Sequence, residues 1–391
     1  MSVADSERGP LEEEPRRLAL FGRLDRYVLR TFLGALVVSG IVVVGLYLVV
    51  DLASNLDDYL DPPDGITGKQ QVSRVVRYYA VEALFLLFQV APFITLSGGM
   101  YTVHKLHKNR ELIAAMGLGW SVRRVQLPVF LAALCLAIGM VAGREFAADE
   151  YGFMRGRLLH MIEEGGAEVE VEKLRFKDAS DGLVQLDYYR PGSRASGDGA
   201  TFEGLDAIRF REEEGRHYHY VIAHGTYVLH PEGGGSWELE GGALEAVEAG
   251  KANRTEISSL AGDLDFTPAD IWSAFKGRSD AMDLSWSEAK SLARRDPDNV
   301  QYATLLHYLI SFPLANVVLL LCGLPLMMQF ERGRAGRGLM GGFLLCIFYF
   351  AADFFCLNLG MQGAVSPLLA TFLPPLFFGS LGTVLFASAR S

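Results

Sequence analysis

Six long apolar runs constrain this chain more than any other feature of its sequence. They cover about residues 31–50, 79–103, 126–143, 304–328, 339–358 and 366–388. A helix needs roughly 20 apolar residues to cross a hydrocarbon layer of ~30 Å, and all six runs approach or reach that length. Buried helices of a water-soluble protein are the alternative, but these runs lack a polar face. The sequence therefore predicts a polytopic α-helical membrane protein with six transmembrane helices.

The charges of the short connections predict the orientation of these helices. Residues 104–124 hold five Lys or Arg against one acid, whereas residues 51–78 hold five Asp against three basic residues. Short basic loops stay in the cytoplasm, so residues 104–124 are expected inside and residues 51–78 outside. Both termini then lie in the cytoplasm. The first run follows several arginines without a small-residue cleavage site, which indicates a retained anchor and not a signal peptide.

The segment between the third and fourth runs has the composition of a domain in water. Residues 144–303 contain 18 Lys or Arg and 31 Asp or Glu, a local charge of −13. We therefore divide the chain into an N-terminal transmembrane half (1–143), an outer domain (144–300) and a C-terminal transmembrane half (301–391).

Most of the outer domain is predicted to be β-structure. Between about 165 and 260 apolar and polar residues alternate, as in "LVQLDYY", where Val184, Leu186 and Tyr188 are expected to share the buried face. Glycine-rich breaks separate the strands, and no helical crossover lies between them, which favours an antiparallel sandwich or open barrel. Residues 264–300 have helical texture and are expected to form a stalk leading to the fourth run.

Cysteine and histidine give little sign of disulfide or metal chemistry. All four cysteines fall inside the apolar runs, so the outer domain has no disulfide framework. Four histidines of the outer domain could be considered for zinc: His217, His219, His224 and His230. Their spacing does not complete a four-ligand site, and exposed histidines on a strand are the favoured interpretation. No metal or other cofactor is expected on this chain.

Motifs for catalysis are missing from the sequence. The stretch "GITGKQ" at 65–70 lacks the glycine spacing and the Ser or Thr of a nucleotide-binding loop. Neither a His-Glu-x-x-His nor a Gly-x-Ser-x-Gly pattern occurs. We predict a non-catalytic protein, although an intramembrane lipid-modifying enzyme built on Glu82, Asp353 and Asn358 stays as an alternative.

Five charged residues are candidates for contact with lipid. Glu82 and Asp353 lie within apolar runs, where a carboxylate costs ~2.5–3.5 kcal/mol, so each should face protein or a wet cavity. Arg74, Arg77 and Arg144 lie near the predicted outer surface, where guanidinium groups could bind phosphates. Pairing with lipid headgroups or with acids of the outer domain is the alternative for these arginines.

The stretch "HKNRELIAAMGLGW" predicts a short amphipathic helix over about residues 109–117. Asn109 is a good N-cap, and Glu111 favours the positive end of the helix dipole. Gly117 or Gly119 would end the helix. Three apolar residues are expected to share one face: Leu112, Ile113 and Met116. A helix lying on lipid headgroups would show the same pattern.

Taken in order, several stretches resemble the LptF/LptG (YjgP/YjgQ) family of lipopolysaccharide-export permeases. They are "LDRYVLRTFL", "APFITLSGGMYTVHKLHKNRELIAAMGLGWSVRRVQLPV", "LLHYLISFPLANVVLLLCGLPLMMQFERGRAGRG" and "GAVSPLLATFLPPLFFGSLG". The resemblance covers nearly the whole chain, including a strand-rich insert between the third and fourth spans. Three features depart from it: the uncharged "LVVSGIVVVGLYLVV" of the first span, Tyr308-Leu309 where a basic residue is expected, and the longer and more acidic link "DDYLDPPDGITGKQQ" between spans one and two.

The resemblance implies a permease in the bacterial inner membrane. Two such subunits would pair, bind a cytoplasmic ABC ATPase dimer that holds ATP and Mg, and extract lipopolysaccharide or a related glycolipid. A periplasmic β-jellyroll would pass the lipid to jellyroll bridge proteins, with spans one and five as lateral gates and no role for nucleic acid. The residues expected to contact the ATPase are Glu111, Leu112, Ile113, Met116 and Gly119.

Two other functions remain open at this stage. A non-transporting ABC subunit that transmits mechanical signals would have no lipid cavity between paired spans. A membrane scaffold or receptor with a β-rich head would have no ATPase partner. The sequence does not distinguish an F-like from a G-like subunit, or self-pairing from pairing with a relative.

Overall fold

The computed structural model describes most of the chain. The described residues are 22–56, 59, 67–163, 170–178, 182–192, 199–211, 216–229, 235–248, 251–257, 264, 266–279, 283–329 and 335–388. The helices are α1 (Arg23–Ser54), α2 (Gly68–Lys108), α3 (Glu111–Gly117), α4 (Val122–Glu163), α5 (Pro268–Ser279), α6 (Trp286–Arg295), α7 (Val300–Ser311), α8 (Ala315–Gln329), α9 (Ala335–Met361) and α10 (Pro367–Ser388). A 3₁₀ turn, Phe312–Leu314, joins α7 to α8.

Six helical segments of the described chain are long and apolar enough to cross a membrane, which confirms that prediction. They are α1, α2, the first part of α4, α7 joined to α8, α9 and α10. Helices satisfy their own backbone hydrogen bonds, and this is required in an apolar layer without water.

Two of these helices continue well beyond their apolar runs. α2 has 41 residues and α4 has 42, so each is about 60 Å long at ~1.5 Å per residue. The expected loop over residues 51–78 is therefore wrong for much of its length, since α1 continues to Ser54 and α2 begins at Gly68. The domain boundary placed at residue 144 falls inside the continuous helix α4.

The centre of the helix bundle is held by close packing and one buried polar contact. Gly98 of α2 lies against α1, where an added Cβ would be 3.3 Å from the backbone nitrogen of Leu36. The Thr95 hydroxyl donates a hydrogen bond of 2.8 Å to the amide oxygen of Asn316 in α8. Small residues and interhelical hydrogen bonds are what hold helices together in lipid, where the surroundings are as apolar as the side chains.

The outer domain contains one antiparallel sheet of six described strands in sequential order. The strands are β1 (Val171–Lys177), β2 (Leu183–Arg190), β3 (Thr201–Arg211), β4 (Arg216–Leu229), β5 (Gly235–Glu248) and β6 (Lys251–Ile257). The antiparallel pairing confirms the prediction of alternating strands. Sequential hairpins alone do not define a jellyroll, so that part stays a prediction.

One row of residues crosses the sheet and bends it. The pairing of neighbouring strands is regular on both sides of this row and skips the row itself. Three members, on alternate strands, have positive φ: Lys173 (49°), Gly204 (66°) and Gly241 (65°). The bend row consists of Lys173, Asp187, Gly204, Ala223 and Gly241.

The bend row changes which side chains face the core. In β2, Val184 and Leu186 are buried as expected, but beyond the row Tyr189 is 1% exposed and Tyr188 is 41% exposed. The expectation that Tyr188 faces the core is therefore wrong. A strand that turns through such a row shifts its alternation by one residue, and simple period-two counting does not include that shift.

The predicted stalk helices cover the buried face of the sheet. The indole of Trp237 donates to the carbonyl of Phe266 at 2.8 Å, immediately before α5. The hydroxyl of Tyr189 donates to the carbonyl of Pro268 at 3.3 Å. Ser285 caps α6 by accepting from the amide of Glu288. The sheet and the stalk thus share one core.

The histidines of the outer domain do not converge. His219 lies 2.8 Å from a carboxylate oxygen of Asp206 on the neighbouring strand. His217 and His224 are also in β4, while His230 lies outside the described residues. Within the described ranges no group of three or more His, Cys, Asp or Glu side chains could hold a metal ion.

The bend row gives a test of backbone conformation. Lys173 occupies the left-handed region, which costs an L-residue ~1–2 kcal/mol and costs glycine little. We expect Lys173→Gly to unfold at a higher temperature than Glu172→Gly, a neighbouring exposed position with negative φ. The difference should correspond to ~1–2 kcal/mol. Thermal unfolding of the full chain in detergent, followed by tryptophan fluorescence, measures it; equal midpoints would contradict the strain at Lys173.

Candidate functional site

The helix predicted in the loop between α2 and α4 is present, but its start differs from the prediction. α3 begins at Glu111, after Arg110 in a left-handed conformation with φ 60°. Asn109 follows the end of α2 and is not the N-cap, so that assignment is wrong; its side-chain amide instead donates to Glu111 at 3.1 Å. Gly119, with φ 83°, turns the chain after α3, and Ser121 then accepts from the amide of Arg124 at the start of α4.

Only part of the predicted apolar face of α3 points outward. Leu112 is 5% exposed and lies in the core of the bundle, so it cannot be an outward contact. Ile113 is 43% exposed and Met116 is 39% exposed, and Leu118 just after the helix is 76% exposed. Amphipathic spacing identifies an apolar face but not which of its residues meet the bundle. We name Ile113, Met116 and Leu118 the coupling surface.

Glu111 is turned toward α1. One carboxylate oxygen accepts a hydrogen bond of 3.1 Å from the hydroxyl of Tyr27. The other carboxylate oxygen is buried and has no hydrogen-bond partner among the described residues. A buried carboxylate oxygen without a partner is costly, and the described residues leave this oxygen of Glu111 without a hydrogen bond.

A buried ion pair makes a second link between this loop and α1. The two terminal guanidinium nitrogens of Arg124 donate to the two carboxylate oxygens of Asp25, each at 2.8 Å, and Asp25 is 1% exposed. The same guanidinium lies over the ring of Trp120 at 5.3 Å from the ring centre. Bidentate pairs of this kind fix geometry as well as charge. The start of α1, α3 and the start of α4 are therefore joined by directional contacts.

At the other end of the bundle, Arg155 joins three separate parts of the chain. It pairs with Glu82 of α2 and with Asp283, which precedes α6. Burial alone would lower the pKa of Arg155, but the carboxylates of Asp283 and Glu82 outweigh burial and raise the pKa, so the guanidinium stays charged. We name Glu82, Arg144, Arg155 and Asp283 the outer polar cluster.

Arg144 differs from the rest of this cluster because its charge is not paired. It is half-buried on α4 and makes no hydrogen bond or ion pair with any side chain in the described part of the protein. Asp283 and Tyr308 interact with it electrostatically. The Tyr308 hydroxyl donates to Asp353 of α9 at 2.9 Å. Arg144 is thus a cation near Asp283, which pairs with Arg155, and Tyr308, which bonds Asp353.

The five predicted lipid-contact residues are two buried carboxylates and three arginines. Glu82 and Asp353 are 7% and 5% exposed and face protein, as expected for carboxylates inside a membrane. Arg74 donates to the carbonyl of Met161 at 2.9 Å. Arg77 is exposed, and Arg144 is half-buried. The structure brings Glu82 and Arg144 to one cluster, which Asp353 adjoins through its hydrogen bond with Tyr308, whereas Arg74 and Arg77 are not part of it.

Several participants in these contacts were not predicted from the sequence: Asp25, Tyr27, Leu118, Arg124, Arg155 and Asp283. Arg155 was missed because residues after 144 were assigned to the outer domain, although apolar residues recur every three or four positions from Ala147 to Ile162. That period was a signal for the helix. Tyr27 and Asp283 had no comparable signal, since their partners are distant in sequence.

An apolar groove opens between α1, α2 and α4. Its volume is about 600 Å³. Its lining includes Leu33, Leu36, Leu87, Phe88 and Leu136. A groove of this composition fits hydrocarbon and offers almost nothing to a polar ligand.

Comparison with known proteins identifies the family of the chain. A search of curated proteins found no match. The model of the family "Lipopolysaccharide export system permease LptF/LptG" matches residues 26–388, which include all six membrane helices and the outer domain. The chain therefore belongs to the LptF/LptG family of lipopolysaccharide export permeases.

Proposed function

We propose that this chain is a permease subunit of an ATP-driven exporter that moves lipopolysaccharide or a related glycolipid out of the inner membrane. It would pair with a second permease of the family and bind a cytoplasmic ABC ATPase dimer, with both termini in the cytoplasm. The observation that carries the proposal is the coupling surface, an exposed apolar patch on a short basic loop of a chain from a transporter family. An exposed patch of this kind favours a protein partner.

Movement of the coupling surface would reach α1 through two contacts. Tyr27 bonds Glu111, and Asp25 pairs with Arg124, so α1 follows α3 and the start of α4. A partner that rotates α3 during its ATP cycle would thereby tilt α1. In this proposal Glu111 positions the helix from the inside, while Ile113 and Met116 make the outward contacts.

The exposure of the membrane helices supports pairing and lateral gates at α1 and α9. Only 11% of the apolar window of α1 and 22% of that of α9 are buried, against 72% for the span made of α7 and α8. These two helices therefore need another chain or lipid against them. The apolar groove beside α1 would accept the acyl chains of the exported lipid.

We propose that the outer domain receives the lipid, and its attachment to α4 supports this. Glu145 accepts from the backbone amide of Trp286 at 2.8 Å, at the start of α6. The buried ammonium of Lys276 donates to the carbonyl of Ala148 at 3.4 Å. We propose that lipid leaving the bundle passes the outer polar cluster and enters a jellyroll-like outer domain, from which bridge proteins take it.

The first prediction concerns binding of the ATPase. Met116→Asp should weaken co-purification of the partner ATPase by about tenfold or more, because a charge would be buried in an apolar contact. Leu183→Asp is the matched control, since Leu183 is an exposed leucine on the outer sheet. Co-purification is compared at equal membrane expression. If both variants retain the ATPase, α3 is not the docking element.

The second prediction concerns coupling through Glu111. Glu111→Ala should leave the fold intact and reduce lipid-stimulated ATP hydrolysis, and Tyr27→Phe should reproduce part of that loss while the ATPase stays bound. The reason is that both variants remove the same hydrogen bond to α1. ATP turnover with and without lipid, beside co-purification, measures the effect. A silent Tyr27→Phe would instead make Glu111 a direct partner contact.

The third prediction concerns the unpaired cation of the outer polar cluster. Arg144→Gln should lower retention of lipopolysaccharide by about tenfold, since a charge-assisted contact with phosphate is worth ~1.5–3 kcal/mol. Arg294→Gln, an exposed arginine of α6, should have no effect. Lipid that co-purifies with each variant is quantified by mass spectrometry. Equal retention in both variants would remove Arg144 from the lipid path.

A further inference from the structure

A second cavity, separate from the apolar groove, lies between α1 and α2 at the end of the bundle that carries the coupling loop. Its volume is about 580 Å³. Its lining combines Arg30 and Lys105 with the hydroxyl groups of Tyr27, Thr31 and Ser39, and the described lining contains no Asp or Glu. The cavity is therefore polar and positively charged at one end of the membrane span.

We propose that this cavity binds the headgroup of an anionic phospholipid from the leaflet on the coupling-loop side, as a site distinct from that of the exported lipid. The charges support this occupant. Neither the Arg30 side chain nor the Lys105 side chain makes a hydrogen bond or an ion pair within the described ranges, and the ammonium of Lys105 lies 6.0 Å from the ring centre of Tyr27. Two uncompensated cations beside hydroxyl donors match a phosphodiester.

The shape of the cavity favours a lipid over a free anion. Ser39 is nine residues beyond Arg30 on α1, so the cavity extends about 13 Å from its basic end along the helix. This deeper part is lined by Gly34, Ala35 and Val38, which leave room beside α1 and offer an apolar surface. A headgroup at Arg30 and Lys105 would place an acyl chain along these residues.

The site also adjoins the contact that holds α3. Tyr27 lines the cavity, and its hydroxyl donates to Glu111 at 3.1 Å. A bound headgroup would therefore stand next to the link between α1 and the coupling loop. The site is cytoplasmic in the orientation proposed above, but lipid binding itself does not depend on an ATPase or on export.

Native mass spectrometry of the full chain in detergent tests the site directly. The chain is titrated with phosphatidylglycerol and with phosphatidylethanolamine, which differ in net charge. We expect the wild type to prefer phosphatidylglycerol by about tenfold or more, because its headgroup carries a net negative charge that the two cations attract. Arg30→Gln/Lys105→Gln should lose this preference, and Arg30→Lys/Lys105→Arg, which keeps both charges, should retain it.

The matched control is Arg26→Gln/Lys108→Gln, which removes the same charges from the same two helices at exposed positions outside the cavity. This control should keep the preference. Equal loss in both neutralised variants would reduce the effect to general surface charge and overturn the site.

Displacement of the lipid by equimolar inorganic phosphate would make the ligand a free anion and overturn the lipid site. A second copy of the chain bound in place of lipid would also overturn the proposal. Failure of export would leave all these outcomes unchanged.

Discussion

The continuous helix α4 is the element on which the organisation of the molecule depends. In an apolar layer a helix keeps its backbone hydrogen bonds within itself, and α4 runs continuously for about 60 Å with one such bond missing at Pro128, which has no N–H to donate. Its first turn is paired with α1 through Arg124 and Asp25, and Arg155 near its other end pairs with Glu82 and Asp283. A single helix therefore has polar contacts to other elements at both of its ends, and in the proposed function it would carry a displacement from one end of the bundle to the other.

The sequence was a good guide to whatever depends on local pattern. The apolar runs predicted the membrane helices because hydrocarbon leaves few other structures possible. The extension of α4 beyond its apolar run was not predicted, because hydropathy alone does not detect a helix that contains many polar residues. Tyr189 replaced Tyr188 in the core because the bend row shifts the alternation. Leu112 was misassigned because an amphipathic pattern does not say which side of the helix meets the bundle.

Polar groups inside the membrane show where local reasoning stops. Their cost predicted that Glu82 and Asp353 would face protein, and both are buried. Their partners could not be named in advance, since Arg155 is 73 residues from Glu82 and Tyr308 is 45 residues from Asp353. Contacts of that separation are set by the packing of whole helices. The sequence therefore predicts that these charged residues face protein, but it does not predict which residues they contact.

The bend row has a mechanical consequence for the outer domain. The row crosses five paired strands and divides the sheet into two panels of regular pairing. The panels are joined by the strands themselves, without any intervening loop. Every strand that enters one panel leaves through the other, so the angle between the panels can change only if all five strands turn together. Any change in that angle would require the backbone to rotate together at Lys173, Gly204 and Gly241, the three members of the row with positive φ.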